Sequence, residues 1–111
     1  MSQRDDSLSL RHMLDAASEA STLVQGKSRI CLEDERVLFL ALVRLMEIIG
    51  EAANRVTEET QNKTSSIHWK EIVSLRNRLI HGYDNVDKDI LWQILEFDIP
   101  ELISELQKVM D

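Results

Sequence analysis

The sequence contains few of the residues that interrupt helices or cross-link chains. Its 111 residues include three glycines, one proline, one cysteine and five aromatic residues. Glycine and proline are the residues least compatible with helix interiors, so their scarcity favours long helices. The single cysteine, Cys31, excludes an internal disulfide and suggests no cysteine-based metal site, as expected of a protein from a reducing compartment.

Long apolar runs are also absent. No stretch approaches the roughly 18 consecutive apolar residues that would predict a membrane span, and residues 1–6 lack the apolar core of a signal peptide. We therefore expect a cytoplasmic protein that does not associate with membranes. A chain of this length is long enough for one core and too short for two, so residues 1–111 are predicted to form a single domain.

What the sequence does contain is leucine, isoleucine, glutamate and alanine at helical spacing. This pattern predicts an all-α protein, an up-and-down bundle of four main helices. The first helix is expected over residues 7–25, with Asp5 or Asp6 as its cap and Gly26 as the residue that stops it. The second and longest helix is expected over residues 33–57.

The second half of the chain is predicted to supply the other two helices. A polar loop over residues 58–67 leads into the third helix, which is expected over residues 69–81. Asp87 is a suitable cap for the fourth helix. Because the apolar phase is kept across Pro100, we expect one long kinked helix there and not two independent ones.

The second predicted helix has an apolar face wider than packing against one neighbour needs. It could serve both the bundle core and a second subunit, and Gly50 and Ala53 would permit a close helix approach. The opposite face carries polar residues at spacings of three and four: Arg44, Glu47, Glu51, Asn54, Arg55 and Glu58. Such a face is usually solvated and salt-bridged. The alternative is that Glu47 or Glu51 faces the third helix and neutralises or orients Arg76.

The most informative stretch is residues 76–83, which closes the third predicted helix. At 100° per residue, Arg76 shares a stripe with Val73 and Ile80, so it interrupts a face that should be buried. A guanidinium in such a place needs an anionic partner to offset its desolvation.

Asn77 and His81 form a neighbouring polar stripe and are four residues apart, within reach of one another. Gly82 suits the position just past a helix end, which places His81 in the last turn, where the helix dipole favours the imidazolium. A fixed cation and a titratable imidazole one turn apart can hold a phosphodiester and move its protons. The simpler interpretation is that Arg76 pairs with a core carboxylate and His81 only caps its helix.

The net charge of −7 argues against general affinity for nucleic acids. Residues 1–66 carry a net charge of −3 and residues 84–111 a net charge of −6, whereas residues 67–83 carry +2. This one positive segment suits a local phosphate contact and not a long track along a duplex. The sequence shows no Gly-rich phosphate loop, metal-ligand cluster or nucleophile elbow.

With these elements in place, the chain resembles the HEPN superfamily, and within it the HepT-like toxins encoded beside minimal nucleotidyltransferases (MNT). The segments that carry the resemblance are LMEIIGEAA (residues 45–53), IHWKEI (67–72) and RNRLIHGY (76–83), followed by Val86-Asp87, Leu91-Trp92 and Ile99-Pro100-Glu101-Leu102. The resemblance covers nearly the whole chain and is weakest before residue 33. The Arg-x4-His-x-Tyr signature of the family is complete.

This resemblance implies a homodimeric helical bundle in which the two motifs face each other at the dimer interface. It also implies a metal-independent ribonuclease. Arg76 would hold and stabilise the phosphate, His81 would act as general acid and base, and the attacking group would be the 2′-hydroxyl of the RNA itself. Asn77 would position the motif or the RNA.

The resemblance further implies a type VII-like toxin–antitoxin pair. Tyr83 matches the tyrosine that the partner nucleotidyltransferase modifies with AMP, which would silence the toxin by adding negative charge and bulk beside the catalytic pair. The protein itself would need no cofactor, because the ATP is used by the partner. The expected partners are a second copy of the chain, the nucleotidyltransferase and an RNA substrate, but not DNA.

Two other functions remain open beside the one that the resemblance implies. The chain could be a catalytically weak interaction module that binds the nucleotidyltransferase and accepts AMP on Tyr83. The intact pair of Arg76 and His81 favours the ribonuclease, whereas the charge of −7 favours the module. A plain structural dimer, in which His81 only caps its helix, is the third possibility.

Overall fold

The chain is mostly helical in the part that the computed structural model describes, namely the backbone of residues 3–80 and 85–110 and the side chains of residues 6–80 and 85–110. In chain order the elements are α1 (Gln3–Val24), α2 (Cys31–Asp34), α3 (Arg36–Asn54), α4 (Glu58–Lys63), α5 (Trp69–Val73), α6 (Leu75–Leu79), α7 (Lys88–Gln93), a π-helical turn (Ile94–Asp98) and α8 (Ile99–Met110). Within these ranges, β-type backbone pairing is limited to an isolated antiparallel bridge between Ile80 and Val86. The predicted all-α class is confirmed.

The first helix, α1, begins earlier than predicted, so Asp5 and Asp6 lie inside it and not at its cap. Asp6 is buried, and its carboxylate accepts hydrogen bonds from Thr57 and Thr60 at the start of α4. At the other end, Gly26 follows the helix with a φ of 76°, as predicted for the residue that stops it. The apolar side of α1 packs against α3 and α8.

The predicted second helix, over residues 33–57, is divided at its start and shorter at its end. It is present as α3, preceded by the single turn α2, because Glu35 has a non-helical backbone with φ −119° and ψ 86°. Residues 58–67, predicted to be a loop, contain α4. Thr57 caps this short helix by accepting a hydrogen bond from the Thr60 N–H at 3.3 Å, a local signal that the polar composition had obscured.

The third predicted helix, over residues 69–81, is interrupted and ends early. Ser74 separates α5 from α6, and its hydroxyl donates to the carbonyls four and three residues earlier at 2.8 and 3.2 Å. After α6, Ile80 has an extended backbone (φ −100°, ψ 113°) and pairs with Val86. The prediction that the helix continues to a last turn containing His81 is therefore wrong, and His81 itself lies outside the described residues.

The fourth predicted helix is continuous, since α7, the π turn and α8 follow one another without a break. Asp87 caps it, as predicted, by accepting a hydrogen bond from the Ile90 N–H at 3.0 Å. Within the π turn the Ile99 N–H donates to the carbonyl of Ile94, five residues earlier. A proline ring crowds the preceding helical turn, so a wider turn directly before Pro100 gives that ring room.

The core is one continuous cluster of apolar side chains to which every main helix contributes. Its most completely buried large members are Met13, Leu32, Leu42, Met46, Ile49, Leu75, Leu79, Leu91, Ile94, Ile99 and Leu106. Within the described ranges, no helix combines the length and the apolar character needed to span a bilayer.

Candidate active site

A shallow cleft lies between the C-terminal half of α3 and the helix pair α5–α6. Its volume is about 270 Å³, and it is lined by Glu47, Gly50, Glu51, Asn54, Val73, Arg76 and Asn77. Four of these residues, Arg76, Asn77, Glu47 and Glu51, are the candidates that the sequence singled out. The fold thus brings the first half of the motif together with the polar face of α3.

The floor of this cleft depends on Gly50. A Cβ built on Gly50 would lie 3.4 Å from the carbonyl oxygen of Ile72 and 3.6 Å from that of Val73. The backbone of α5 therefore passes directly over this position of α3. A glycine at this point permits the close helix approach expected from the sequence, here between two helices of the same chain.

Arg76 is more exposed than its place in the apolar stripe predicts. Its side chain is 68% exposed, whereas Leu75 and Leu79 are almost fully buried, at 0% and 1% exposed. The buried positions Ile72, Leu75 and Leu79 follow helical spacing, so Arg76 lies at the edge of the apolar side and not at its centre. Leu75 and Leu79 take the core positions of α6, and the guanidinium of Arg76 points to the cleft.

Of the two carboxylates considered as partners of Arg76, Glu47 is the one that lies beside it. The Nε atom of Arg76 lies 3.7 Å from Oε2 of Glu47, and the Glu47 side chain is only 26% exposed. Glu51, the other candidate, faces Arg44, whose Nη1 is 3.5 Å from its Oε2. A contact at the Nε edge of a guanidinium leaves the donors of its outer edge directed away from that carboxylate.

Arg78, two residues further on, has a different role. Its Nη1 donates to Oδ2 of Asp98 in the π turn at 3.1 Å, and both side chains are about one-third exposed. This ion pair ties α6 to the last helix. Sequence reasoning did not separate the two arginines by role, although a spacing of two residues on a helix already places them on different faces.

The second half of the motif, His81 and Tyr83, lies outside the described residues, and so do Gly82 and Asp84. The residues on either side are described. Ile80 pairs with Val86, and the Asp87 N–H donates to the carbonyl of Leu79 at 2.9 Å. The described residues that flank positions 81–84 are therefore next to one another, directly after α6.

His68 is the residue directly before α5. Its Nε2 lies 3.0 Å from Oε1 of Glu101 in α8, so it serves as a contact between those two helices. Among the described residues, no group of three or more histidine, cysteine, aspartate or glutamate side chains is placed so that it could hold a metal ion.

The chain matches the family model described as "Ribonuclease HepT-like" over residues 13–109. It is 32% identical to a candidate RNase of Methanocaldococcus jannaschii over 109 residues, which span 98% of this chain and 100% of that protein. A candidate RNase of Caldanaerobacter subterraneus is 36% identical over 91% of this chain and 90% of its own. A protein of Thermococcus cleftensis named as a probable ribonuclease HepT is 34% identical over 86% of this chain and 91% of its own. No solved structure matches the chain significantly.

Proposed function

This chain belongs to the HepT-like ribonuclease family, and on that premise we propose that it is a metal-independent endoribonuclease and the toxin of a toxin–antitoxin pair. Arg76 and His81 are its catalytic residues, and Asn77 supports them. The observation that carries the proposal is the exposed guanidinium of Arg76, held by Glu47 at the edge of a cleft, five residues before position 81 in the sequence.

In the proposed reaction the 2′-hydroxyl of the RNA attacks the adjacent phosphorus. The 2′-oxygen forms a bond to phosphorus while the bond to the 5′-oxygen breaks, which leaves a 2′,3′-cyclic phosphate and a free 5′-hydroxyl. An imidazole takes the proton of the 2′-hydroxyl, and an imidazolium gives a proton to the departing 5′-oxygen. The guanidinium of Arg76 stabilises the negative charge that accumulates on the phosphate oxygens.

A homodimer supplies two copies of His81 for these two proton transfers and two copies of Arg76 for the phosphate. Support for a second subunit comes from α3, where Val37 is 81% exposed and Leu40 is 49% exposed. Apolar side chains exposed on the helix that also carries Glu47 are available for burial against a second copy.

The partner that silences the toxin is proposed to be a nucleotidyltransferase that transfers AMP from ATP to Tyr83. The added phosphate would place a negative charge two residues from His81, where it would repel an RNA phosphate. The second candidate function is the weakly catalytic module that mainly binds this partner. The acidic balance of the chain, −7 overall, favours the module.

The test is induced expression in a bacterial host of the wild type, His81→Ala and the matched control His12→Ala, whose histidine is exposed on α1. We expect growth arrest with RNA cleavage for the wild type and for His12→Ala, and neither for His81→Ala. Cleavage by a folded, dimeric His81→Ala protein would contradict the role of His81. Harmlessness of all three proteins at matched levels would favour the module.

Tyr83 is tested separately, with purified partner and labelled ATP. Tyr83→Phe should escape labelling and remain toxic when it is expressed together with the partner. Labelling of the phenylalanine variant would show that the acceptor is another residue.

A further inference from the structure

A second groove adjoins the cleft that contains Arg76. Its volume is about 640 Å³, and it is lined by Asn54, Gln61, Asn62, Ser65, Ile67, Trp69, Lys70, Val73 and Ser74. Asn54 and Val73 line both depressions. The two therefore form one continuous surface that runs from Arg76 across α5 to the segment after α4.

The lining of this groove departs from the acidic character of the chain. Among the described residues that line it there is one basic residue, Lys70, and no carboxylate, whereas the whole chain has a net charge of −7. Asn54, Asn62, Ser65 and Lys70 are all exposed. In the part of the chain that the structure describes, none of these four side chains is engaged in a hydrogen bond or an ion pair, unlike Lys63 and Arg78.

The wall behind these side chains is fixed by internal hydrogen bonds. The indole N–H of Trp69 donates to the carbonyl and the hydroxyl of Thr64 at 3.2 and 3.1 Å. The amide of Gln61 donates to the carbonyl of Val56 at 3.2 Å. The exposed amides and the ammonium group are thus presented by a preformed surface, which reduces the entropy lost when a ligand binds.

We propose that this groove binds the nucleotides that flank the cleaved phosphate in a single-stranded RNA. The inference rests on the function proposed above and adds the path of the substrate. Lys70 contacts a phosphate, and Asn54 and Asn62 donate and accept hydrogen bonds at the edges of unpaired bases or at ribose hydroxyls. Because Trp69 is buried and offers no face for stacking, binding depends on charge and hydrogen bonds and is sensitive to salt.

The phosphate contact is tested by fluorescence anisotropy with a fluorescein-labelled, single-stranded RNA of mixed sequence. The protein carries His81→Ala so that the probe is not cleaved. Lys70→Gln is compared with Lys63→Gln, which removes the same charge from an exposed lysine outside the groove. We expect Lys70→Gln to weaken binding about five- to tenfold at low salt. It should also reduce the slope of log K against log salt by about 0.7. Lys63→Gln should change neither quantity by more than about twofold.

The amide contacts are tested with Asn62→Asp against Gln107→Glu, an exposed amide-to-acid change on α8. Asn62→Asp places a negative charge where RNA is proposed to pass, so it should weaken binding by about tenfold. The control Gln107→Glu should leave RNA binding nearly unchanged.

Two outcomes would overturn the inference while leaving the ribonuclease intact. One is equal RNA binding by Lys70→Gln and Lys63→Gln, in a protein whose wild type cleaves RNA and whose His81→Ala variant does not. The other is loss of nucleotidyltransferase binding by Lys70→Gln with unchanged RNA binding, which would identify the groove as a protein-docking surface. Absence of measurable RNA binding by the His81→Ala protein would also overturn it. Failure of the wild type to cleave any RNA contradicts the proposed function itself.

Discussion

Asp6 and Arg76 are charged residues with opposite environments in this fold, because Asp6 is buried and Arg76 is exposed. Asp6 is 3% exposed, and its two oxygens accept bonds from the Thr57 N–H at 3.0 Å, the Thr57 hydroxyl at 2.6 Å and the Thr60 hydroxyl at 2.5 Å. Arg76 is 68% exposed, and its acidic neighbour among the described residues is Glu47, with 3.7 Å between Nε and Oε2. Both oxygens of Asp6 accept hydrogen bonds from the chain, so this charge stabilises the fold. The guanidinium of Arg76 is contacted along one edge, so its other N–H groups can donate to a ligand.

The largest effect is expected for Arg76→Ala, which should lose most of its RNA-cleaving activity. We expect cleavage of RNA to fall about 10²- to 10³-fold, because a cation facing the developing charge is removed. The free energy of unfolding should change by no more than about 0.5 kcal/mol, since the side chain is exposed. Rates on a labelled RNA and urea unfolding curves measure the two effects. Arg11→Ala, an exposed arginine on α1, is the control. Strong destabilisation by Arg76→Ala would show that the residue belongs to the fold.

Asp6→Ala should show the reverse pattern. Loss of the carboxylate removes three hydrogen bonds to a charged group and leaves their donors partly buried, which should cost about 2–3 kcal/mol in the free energy of unfolding. Activity per folded molecule should change little. Urea unfolding measures the loss, with Asp15→Ala, an exposed aspartate of the same helix, as the control. Equal stability of the two variants would contradict the structural role of Asp6.

The Asp6 network should also make stability depend on pH. Burial raises the pKa of Asp6, but the hydrogen bonds from Thr57 and Thr60 outweigh it and hold the pKa below the ordinary value of 3.8. The unfolded chain therefore binds the proton more readily, and the stabilisation is present above the unfolded pKa and is lost as pH falls through the folded pKa. The difference in unfolding free energy between the wild type and Asp6→Asn should be constant near neutral pH and shrink below about pH 4. A difference that grows on acidification would contradict this assignment.

A smaller effect is expected for Glu47→Gln, which removes the charge beside Arg76 and keeps a side chain of the same shape. We expect kcat to fall about three- to tenfold, because the guanidinium is less well positioned, with KM unchanged or lower because RNA meets less negative charge. Glu51→Gln is the matched control, since that carboxylate faces Arg44. A change in KM alone would show that Glu47 does not position Arg76.

The smallest effect is expected for Gly50→Ala. The new methyl group would lie 3.4 Å from the Ile72 carbonyl oxygen, an ordinary contact distance, and alanine is favoured over glycine within a helix by about 1 kcal/mol. Thermal unfolding should show a change between zero and a gain of about 1 kcal/mol. Gly50→Leu, which does not fit against α5, should unfold at a clearly lower temperature. Destabilisation by Gly50→Ala would show that α3 and α5 cannot move apart to accommodate the added methyl group.

The contrast between Asp6 and Arg76 also shows how far the sequence could predict this molecule. Periodicity identified the long helices and the continuity through Pro100, and Gly26 marked the end of the first helix, because these signals act between neighbours along the chain. The partners of Asp6 are more than fifty residues away. No local pattern could show that an aspartate near the N-terminus would support the cap of α4.

The misplacement of Arg76 has a different physical origin. The apolar spacing continues across Ser74, so the pattern predicts one helix and a buried guanidinium. The serine hydroxyl bonds to carbonyls of α5 and the regular helix is interrupted there. The core positions of α6 are Leu75 and Leu79, which leaves Arg76 at the edge of the apolar side. The composition of the cleft was nevertheless predictable. The sequence offered Glu47 or Glu51 as a partner of Arg76, as the alternative to a solvated face, and Glu47 is the carboxylate that lies beside it.

The π turn before Pro100 determines how many residues the last helix needs. In a regular α-helix, positions five apart point about 140° away from each other, yet Ile94 and Ile99 are both completely buried. The wide turn absorbs the surplus residue and returns the chain to the same side. Deleting one residue within 94–98 would remove that surplus and leave a regular α-helix, in which positions four apart differ by only about 40° and Leu102 and Leu106 stay in the core. Inserting one more residue would instead rotate everything beyond it by about 100° around the helix axis and turn both leucines out of the core, so this segment tolerates a deletion but not an insertion.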